Sequence, residues 1–569
     1  MKAFALAALM SISVVSFATT SLGIENSNGY TFQLTKVNAG GTPNGYCAAD
    51  GKGAPCTASL GPKGQQWTNL DGDNSTIDLE YDVNLASGQS VGHVGVSITH
   101  QSVTISNVSA GASATVGPFT AGQPQAIIFK SAPKPQVDFS KISNNMIDVA
   151  NAYVSHASSP GLLANQIPFT SAQEQADVSG AQWALQFGYD ATRFPLWLGA
   201  YCMTNASSAE CVNSLTLLKK YVVFAKTHTC GNGVLPDNGW WAQSVSGHNV
   251  GDQVAPATCA ASHPALAGPT AVAAYATAQY DFATQLLNNL YSYDLGSNTP
   301  ASAAGQPFGN SSAPYFNAAI KLISLALIAG NGSLDLTGST VKQDVKAKFT
   351  ADYQEWLSAT NGFVVSGGAN TSRVVFSAEN APGVQATHPS PTVSEGMGYG
   401  LLIAYAANDQ ATFNKFLTYT LNEAKGFGCA ALNGDGKTTT ECKVKTNYLM
   451  PWIVDGADGK PFFYTIGGGY YTSGSASDAD IQIAWAVSLA EQRWGNNAQV
   501  NGQNYGQILS AMKQEIASFD VNMNVPYSLV GYTYDQLLAP GSQWDSAGVT
   551  VMYPGYATPQ AFAALQAAQ

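Results

Sequence analysis

The sequence contains few charged residues. Of its 569 residues only 11% are Asp, Glu, Lys or Arg, whereas an average soluble domain has roughly 25%. Asp and Glu (36) outnumber Lys and Arg (24), which gives a formal net charge of −12. Such a chain offers no basic stripe for phosphate groups, so neither nucleic acid nor an anionic membrane is expected as a partner.

Metal-binding motifs and long apolar runs are also missing. The seven histidines are scattered without an HExxH motif, and no two cysteines have the CxxC spacing of a zinc site. The segment NGDGKTTTE at 433–441 lacks the alternating acids of a calcium loop. Beyond the N-terminus, no apolar run reaches the roughly 18 residues that cross a bilayer. We therefore predict no metal, no cofactor and no membrane contact.

The N-terminus has the pattern of a secretory signal peptide. Lys2 precedes an apolar run over 3–15, and small residues follow it. We assign residues 1–23 to the signal peptide, with cleavage near Ala18 to Gly23, and predict a secreted protein, either extracellular or periplasmic.

The cysteine pattern agrees with export. Eight cysteines fall into couples that are close in sequence, and an even count in an exported chain favours disulfides over buried free thiols, which are the alternative. The predicted pairs are Cys47 with Cys56, Cys202 with Cys211, Cys230 with Cys259, and Cys429 with Cys442.

The chain divides by its hydrophobic period. Residues 24–130 alternate apolar and polar side chains, as in TIDLEYDVNL at 76–85, which predicts a small antiparallel β-sandwich. A linker over 131–139 follows, marked by the prolines of KSAPKPQ. Because Trp67 is the sandwich's only tryptophan, this domain is interpreted either as a scaffold or as a carbohydrate-binding module.

Residues 140–569 have the period of helices instead. Apolar residues recur at i, i+3 and i+4 over 318–330, 400–424, 481–495 and 505–519. Many amphipathic helices with no strands alternating between them favour a mostly α fold, a closed helical toroid, over a doubly wound sheet.

Three segments carry acidic residues beside apolar helices. Glu395 lies in TVSEGMGYG, where Ser394 is expected to cap the helix, and Glu395 either faces a cleft or only complements the helix dipole. Asp478 and Asp480 are two residues apart, so they cannot face one site; one is expected to cap the helix and the other to face a ligand. Asp190 lies among aromatic residues in GYDATRFPLW, which suits a sugar site.

These strings resemble the motifs of glycoside hydrolase family 8. VSEGMGYG resembles its SEG-x-GYG acid segment, SASDADIQIA its A-S/T-D-A-D helix, and GYDATRFPLW its YDA-x-R-x-P motif. The resemblance implies an (α/α)6 barrel and inverting hydrolysis of β-linked glycans. In usual members the YDA-x-R motif comes last, whereas here it comes first. We therefore predict a circularly permuted domain whose old termini are bridged near 331–341.

The resemblance also implies residue roles. Glu395 is expected to be the general acid, Asp190 the base, and Asp478 a carboxylate at the scissile sugar, with Tyr189 and Arg193 holding Asp190 ionised. Glu395, unlike Asp190, is expected to have a raised pKa. Some members take the base from another loop, so Glu174 and Asp177 remain alternatives to Asp190. The expected stacking platforms for sugar rings are Trp183, Trp197, Tyr399 and Trp485.

The substrate is expected to be a β-linked polysaccharide. The commonest activity of the resembling family is that of an endo-β-1,4-glucanase acting on cellulose or mixed-linkage β-glucan, and we predict this for a monomeric enzyme. A chitosanase or a xylanase of the same family is the alternative. A different class, a glycan-binding protein without catalysis, has no need of the acid–base set.

Overall fold

The computed structural model describes two parts of the chain. One is a set of ten strands between Met10 and Ser131, and the other comprises the helical segments after residue 136. The chain divides into a unit of Met1–Gln136 with Glu441–Lys445 and a unit of Val137–Thr440 with Thr446–Gln569. The second unit is described mainly over 137–156, 161–179, 182–229, 263–300, 314–376, 391–424, 447–454, 474–541 and 550–567.

The first unit contains antiparallel strands in three sheets. The five-stranded sheet has the order Ser59–Leu60, Thr31–Gly40, Thr76–Asn84, Ser90–Ile98 and Val103–Ser106. The three-stranded sheet is Met10–Ser16, Thr20–Asn26 and Gln65–Leu70, and Ala112–Val116 pairs with Ile127–Ser131. The packing of these sheets into a sandwich stays a prediction, as does the signal peptide in which the first strand lies.

The second unit is mostly helical, which confirms the predicted mostly α class. None of its described helices is both long and apolar enough to span a bilayer. The helices are α1 Phe139–His156, α2 Ser171–Ser179, α3 Tyr189–Thr204, α4 Ala209–Thr227, α5 Pro264–Ala276, α6 Tyr280–Ser292, α7 Pro314–Ala329, α8 Gln343–Leu357, α9 Ser394–Ala406, α10 Gln410–Ala424, α11 Ser477–Trp494, α12 Tyr505–Phe519 and α13 Pro559–Ala567.

The helices alternate between an inner and an outer layer. In the inner layer α3 packs against α5, α5 against α7, α7 against α9, α9 against α11, α11 against α13, and α13 against α3 again. In the outer layer α4, α6, α8, α10 and α12 each pack on the inner helix that precedes them, and α1 packs on α13. The inner helices therefore form a closed ring, an α/α toroid.

The burial of the inner helices explains their composition. Every residue of α7 is buried, and in α9 every residue is buried except Glu395. A helix surrounded by other helices is apolar on all faces rather than on one stripe. The apolar period over 400–424 belongs to two helices, because Asn408 adopts a left-handed φ of 55° and the Asp409 carboxylate then accepts a hydrogen bond from the Thr412 N–H of α10.

The two ends of the helical unit lie together. The backbone N–H of Phe139 at the start of α1 donates to the Gln566 side chain in α13, at 2.9 Å. One predicted disulfide is confirmed: Cys202 at the end of α3 is bonded to Cys211 in α4. The other six cysteines lie outside the described residues. A hairpin of Val521–Tyr527 and Tyr532–Leu538, which the helical prediction did not include, connects α12 to the loop after it.

Candidate active site

Three carboxylates lie in the first turns of inner helices. Asp190 belongs to α3, Glu395 to α9 and Asp478 to α11. The positive end of a helix dipole favours a negative charge at this position. The side chains of Asp190 and Glu395 are 26% and 18% exposed, whereas that of Asp478 is buried, so the site opens to solvent at the first two.

One buried guanidinium joins the three carboxylates. Arg193, one turn after Asp190, is 1% exposed, and its Nη2 forms an ion pair with Asp190. Its Nη1 donates to Glu395 Oε2 at 2.6 Å and also pairs with Asp478. The Tyr556 ring lies below the guanidinium, with 5.3 Å between the ring centroid and Cζ. A fully buried Arg needs such partners, and here it holds acids from distant parts of the sequence in one cluster.

Two contacts fix the start of α3. The residue before the helix is Gly188, which has no side chain to cap it, and the Asn165 side chain accepts hydrogen bonds from the Gly188 and Ala191 N–H groups instead, at 3.1 and 3.0 Å. Gly555 lies so close to this turn that a Cβ atom there would be 1.7 Å from the Asp190 carbonyl oxygen. Only glycine permits this approach, which brings the neighbouring Tyr556 ring to Arg193.

Glu395 has a second partner. The Tyr315 hydroxyl, from the first turn of α7, donates to Glu395 Oε1 at 2.8 Å. The Tyr315 ring packs against Phe376, with ring centroids 4.8 Å apart. Both carboxylate oxygens of Glu395 are thus hydrogen-bonded, one to a cation and one to a neutral hydroxyl, which orients the group at the opening of the site.

Burial raises the pKa values of Glu395 and Asp190, the two partly exposed acids of the cluster. It raises the pKa of Glu395 to about 7; Arg193 opposes this rise, Asp478 and Asp190 add to it, and the Tyr315 hydrogen bond opposes it. Burial also raises the pKa of Asp190, against the lowering effect of Arg193. The expectation that only Glu395 has a raised pKa is therefore wrong, because Asp190 loses solvent in the same cluster.

The hydrogen bond from Tyr315 predicts a measurable change. In Tyr315→Phe the ionised form of Glu395 loses a donor, so we expect the pKa of Glu395 to rise above its wild-type value of about 7. The measurement is a 13C NMR titration of protein labelled at glutamate side chains. Tyr280→Phe, at a 60% exposed tyrosine, is the control. An unchanged or lowered pKa would contradict the assigned contact.

Three of the predicted stacking platforms are buried in the core. Trp197 and Tyr399 are 0% exposed and Trp485 is 5% exposed, and the Trp197 and Trp485 rings meet edge to face at 5.9 Å. The prediction that they stack on sugar rings is wrong, because these side chains lie buried in the contacts between the inner helices. The Tyr399 hydroxyl is 3.3 Å from Arg193 Nη1, so it contributes to the cluster from within.

Other predicted residues have varied placements. The side chains of Trp183 and Tyr189 lie outside the described residues. Glu174 and Asp177, on α2, are buried at 3% and 1% exposure, and neither is among the ion pairs of Arg193. Their burial makes them poorer candidates than Asp190 for activating a water molecule.

The predicted helix caps are wrong. Val393 and Ala476 precede α9 and α11, and neither helix has a side-chain cap. Ser394 is already the first residue of α9. Asp478 and Asp480 do face different surroundings, as predicted from their spacing: Asp478 contacts Arg193, whereas Asp480 is fully buried and is not among the ion pairs of Arg193.

Sequence reasoning missed three residues of the site. These are Asn165, Tyr315 and Tyr556, which contact the cluster or its helix from three separate segments. No local pattern distinguishes the two tyrosines among the 26 in the chain.

Comparison with known proteins gives the following similarities. Residues 353–568 match the family described as "Glycosyl hydrolases family 8". The chain is 28% identical to Endoglucanase A of Acetivibrio thermocellus over 270 residues, which is 48% of this chain and 42% of that protein. It is 28% identical to Endoglucanase 2 of Ruminiclostridium josui over 209 residues, which is 37% of this chain and 34% of that protein. The chain thus spans less than half the length of these relatives.

A likeness to a solved structure is weaker. The structure of a beta-1,3-1,4-glucanase from Paenibacillus sp. X4 is 23% identical and covers 32% of this chain and 38% of its own, with a TM-score of 0.21. A TM-score this low supports no argument. The family match is the informative comparison because its range contains both Glu395 and Asp478. The segment 353–568 is therefore similar to glycoside hydrolase family 8.

Proposed function

We propose that this protein is a secreted, endo-acting inverting glycoside hydrolase that cleaves β-1,4-glucan, either cellulose or mixed-linkage β-glucan. The observation that carries the proposal is the Arg193 cluster, in which one guanidinium binds Glu395, Asp478 and Asp190. Two carboxyl groups at an open edge of a site are the groups that glycoside hydrolysis needs. A protein that only binds glycan has no use for a buried set of this kind.

In the proposed reaction Glu395 is the general acid. Its pKa of about 7 keeps it protonated at mildly acidic pH, and it gives that proton to the leaving glycosidic oxygen. Asp190 removes a proton from a water molecule on the opposite face of the sugar, and the water oxygen forms the new bond to the anomeric carbon. Asp478 contacts the sugar at the point of scission. An inverting pair stands about 6.5–9.5 Å apart to admit the water.

Asp190 is preferred as the base over Glu174 and Asp177. It is 26% exposed and bound to Arg193, whereas both alternatives are buried on α2. A base must reach a water molecule and be held in place, and in the described residues Asp190 meets both needs. Glu395, the proposed general acid, binds Nη1 of Arg193, whereas Asp190 binds Nη2.

We also propose that the domain is circularly permuted. The family match over 353–568 includes Glu395 and Asp478 and leaves out the YDATR segment that supplies Asp190. In a closed ring the ends meet, as Phe139 and Gln566 do here, so old termini can be joined between α7 and α8 while new ones open elsewhere. The bridge 331–341 lies between those two helices.

The remaining features of the proposal rest on composition and sequence. The signal peptide predicted over 1–23 supports secretion, and the strands of the first unit support an accessory domain that is either a scaffold or a carbohydrate-binding module. The names of the two endoglucanase relatives support β-1,4-glucan as substrate. Chitosan and xylan are the alternatives within the same family.

The test is reducing-sugar release from four polysaccharides. Wild type and Asp190→Asn are incubated with carboxymethylcellulose, barley β-glucan, xylan and chitosan. We expect wild type to prefer the two glucans and Asp190→Asn to lose at least about 100-fold in rate, because the water loses its base. Asp281→Asn, on the exposed side of α6, is the matched control and should keep wild-type rates.

Each other outcome has a meaning of its own. Preference for chitosan or xylan would replace the proposed substrate. Full activity of Asp190→Asn would move the base to Glu174 or Asp177. Wild-type protein that cleaves none of the four would contradict the proposed function.

A further inference from the structure

A buried lysine lies outside the candidate site, on the inner helix that supplies Tyr315. Lys321 is the only charged residue of α7, and it is 0% exposed. A lysine is almost never buried to this extent unless its ammonium group is paired. The proposed reaction uses α7 only through the Tyr315 hydroxyl, which donates to Glu395 Oε1. Lys321 therefore has no role in the chemistry itself.

The ammonium group of Lys321 binds two neighbouring segments. Its Nζ is 3.0 Å from Oδ2 of Asp352 on α8, a carboxylate that is itself 1% exposed. It also donates to the carbonyl oxygen of Tyr293, the residue after α6, at 2.5 Å. The other oxygen of Asp352 pairs with Lys348, at 2.6 Å, and Lys348 is 31% exposed. Lys321 thus ties α7 both to α8 and to the end of α6.

A second polar side chain ties the same face of α7 to a third helix. Asn317 lies one turn before Lys321 and is also 0% exposed. Its Oδ1 accepts a hydrogen bond from the Ala265 N–H in the first turn of α5, at 3.0 Å. The residue before α5 gives that helix no side-chain cap, so Asn317 satisfies one of its free N–H groups from α7. Contacts with three helices therefore define where α7 lies.

These contacts matter because the rest of α7 is almost wholly apolar. Apolar contacts have no preferred direction, and a core held by them alone loses its unique arrangement before it loses stability. Hydrogen bonds weaken steeply with distance and angle, so those of Asn317 and Lys321 do not tolerate a rotation or slide of α7. The Tyr315 hydroxyl, two residues before Asn317, must lie 2.8 Å from Glu395 Oε1. That contact depends on the setting of α7.

We propose that Lys321 and Asp352 are positioning residues, which set the rotation and axial position of α7 and so keep the Tyr315 hydroxyl on Glu395. The inference rests on the proposed function only for its catalytic consequence, that Glu395 is the general acid. A buried ion pair that specifies an arrangement adds little net stability, since apolar side chains in place of both partners are often neutral or stabilising. Positioning and stability can therefore be measured apart.

The first test is a 13C NMR titration of Glu395 in Lys321→Met/Asp352→Leu. The double change removes one positive and one negative charge, so it leaves the net charge near α7 unaltered. We expect a Tm within about 3 °C of wild type or above it. The pKa of Glu395 should nevertheless rise from about 7 by on the order of 0.5 pH units, because the ionised carboxylate loses part of the Tyr315 hydrogen bond. An unchanged or lowered pKa would overturn the positioning role.

Single replacements separate position from charge. Lys321→Met leaves Asp352 paired with Lys348, and it takes the place of the double variant if the latter does not fold. Lys348→Met is the matched control, because it removes a positive charge from the same carboxylate but leaves the contacts of Lys321. We expect the pKa of Glu395 to rise in Lys321→Met and to stay at its wild-type value in Lys348→Met. An equal rise in both would assign the effect to lost charge and overturn the proposal.

The route through Tyr315 is tested in the Tyr315→Phe background. Without the hydroxyl, the setting of α7 has no hydrogen bond to Glu395 through which to act. Adding Lys321→Met/Asp352→Leu to Tyr315→Phe should therefore leave the pKa of Glu395 within about 0.2 pH units of that in Tyr315→Phe alone. Two rises that simply add would contradict this route.

The catalytic consequence is measured separately. In Lys321→Met/Asp352→Leu the alkaline decline of kcat on barley β-glucan should move to higher pH by the same amount as the pKa of Glu395. A decline that stays in place while the pKa rises would overturn this consequence. If wild type cleaves no glycan, the proposed function fails, whereas the NMR titrations still decide whether Lys321 and Asp352 position Tyr315.

Discussion

Replacing Glu395 with Gln is expected to lower kcat on a glucan at least about 1,000-fold with little change in KM. General acid catalysis contributes about 100- to 10,000-fold, and the leaving sugar oxygen of a glucan is a poor leaving group without a proton. Gln is almost the same size as Glu; its carbonyl oxygen can accept from Arg193 Nη1 while its amide NH2 donates to the Tyr315 hydroxyl oxygen, so binding should survive. The measurement is steady-state hydrolysis of barley β-glucan.

The nature of the leaving group separates loss of the acid from loss of structure. On a β-glycoside with a dinitrophenolate leaving group, which needs no protonation, the deficit of Glu395→Gln should shrink by at least about tenfold. Glu210→Gln, on the outer helix α4, is the matched control and should leave both substrates unaffected. An equal deficit on both substrates would show that Glu395 does not act as the acid.

The pH profile of wild-type kcat is part of the same prediction. Since Glu395 acts in its protonated form and its pKa is about 7, the rate should fall as the pH rises through about 7. In Glu395→Gln this alkaline decline should disappear from the residual activity. A decline that persists unchanged in the variant would assign it to another group.

Arg193→Met is the second change with a large expected effect, on stability as well as activity. The substitution leaves Asp190, Glu395 and Asp478 close together without their common cation. Removing one partner of a buried ion pair costs about 3–5 kcal/mol of the free energy of unfolding. We expect a loss of this size at pH 7, together with at least a 100-fold loss of kcat, because Asp190 loses the group that orients it and keeps it ionised.

The loss of stability in Arg193→Met should depend on pH. Arg193 lowers the pKa of both Asp190 and Glu395, so without it both values rise further above those of the unfolded chain. Acids with a raised folded pKa lose stability as the pH rises. The deficit should therefore be smaller at pH 5 than at pH 7, measured as the free energy of unfolding in guanidinium chloride.

Arg493→Met is the matched control for this experiment. Arg493 is also partly buried and stacks on the Tyr405 ring, with 3.6 Å between Cζ and the ring centroid, but among the described residues it forms an ion pair with one carboxylate, that of Asp335. It lies at the other end of α11 from Asp478, so its replacement should leave kcat unchanged. A deficit for Arg193→Met that is equally large at pH 5 and pH 7 would contradict the electrostatic role of Arg193.

Much of the fold was predictable because the inner helices are unusually rich in apolar residues. The mostly α class follows from apolar periods that recur over about 430 residues, and the similarity of segment 353–568 to glycoside hydrolase family 8 follows from its two long motifs. Helix boundaries were less predictable. The segment 400–424 has one continuous apolar period, yet the left-handed backbone at Asn408 divides it into two helices. A single Asn is too weak a sequence signal to predict such a break.

The candidate site was predictable only where motifs supplied it. Asp190, Glu395 and Asp478 come from three motifs, and their assembly around Arg193 depends on closure of a ring that no local pattern describes. The aromatic platforms were mispredicted because a tryptophan on an inner helix has the same local sequence whether it faces the cleft or the core. Trp197 and Trp485 face the core.

The placement of Asp480 illustrates the same limit. Spacing correctly separated Asp480 from Asp478, but it assigned one of them to a helix cap. Asp480 is instead fully buried. Its burial depends on how α11 packs against the neighbouring helices, which a single sequence does not state.

The most direct test of the proposed acid–base pair is the anomeric configuration of the first products. Barley β-glucan is hydrolysed by wild-type protein in deuterated buffer, and 1H NMR spectra are recorded within the first minutes, before mutarotation. If Glu395 donates the proton and Asp190 activates a water, the new reducing ends appear first as the α-anomer, and Asp190→Asn forms none. First products in the β-configuration would show retention through a covalent intermediate and would contradict the proposed roles of both residues.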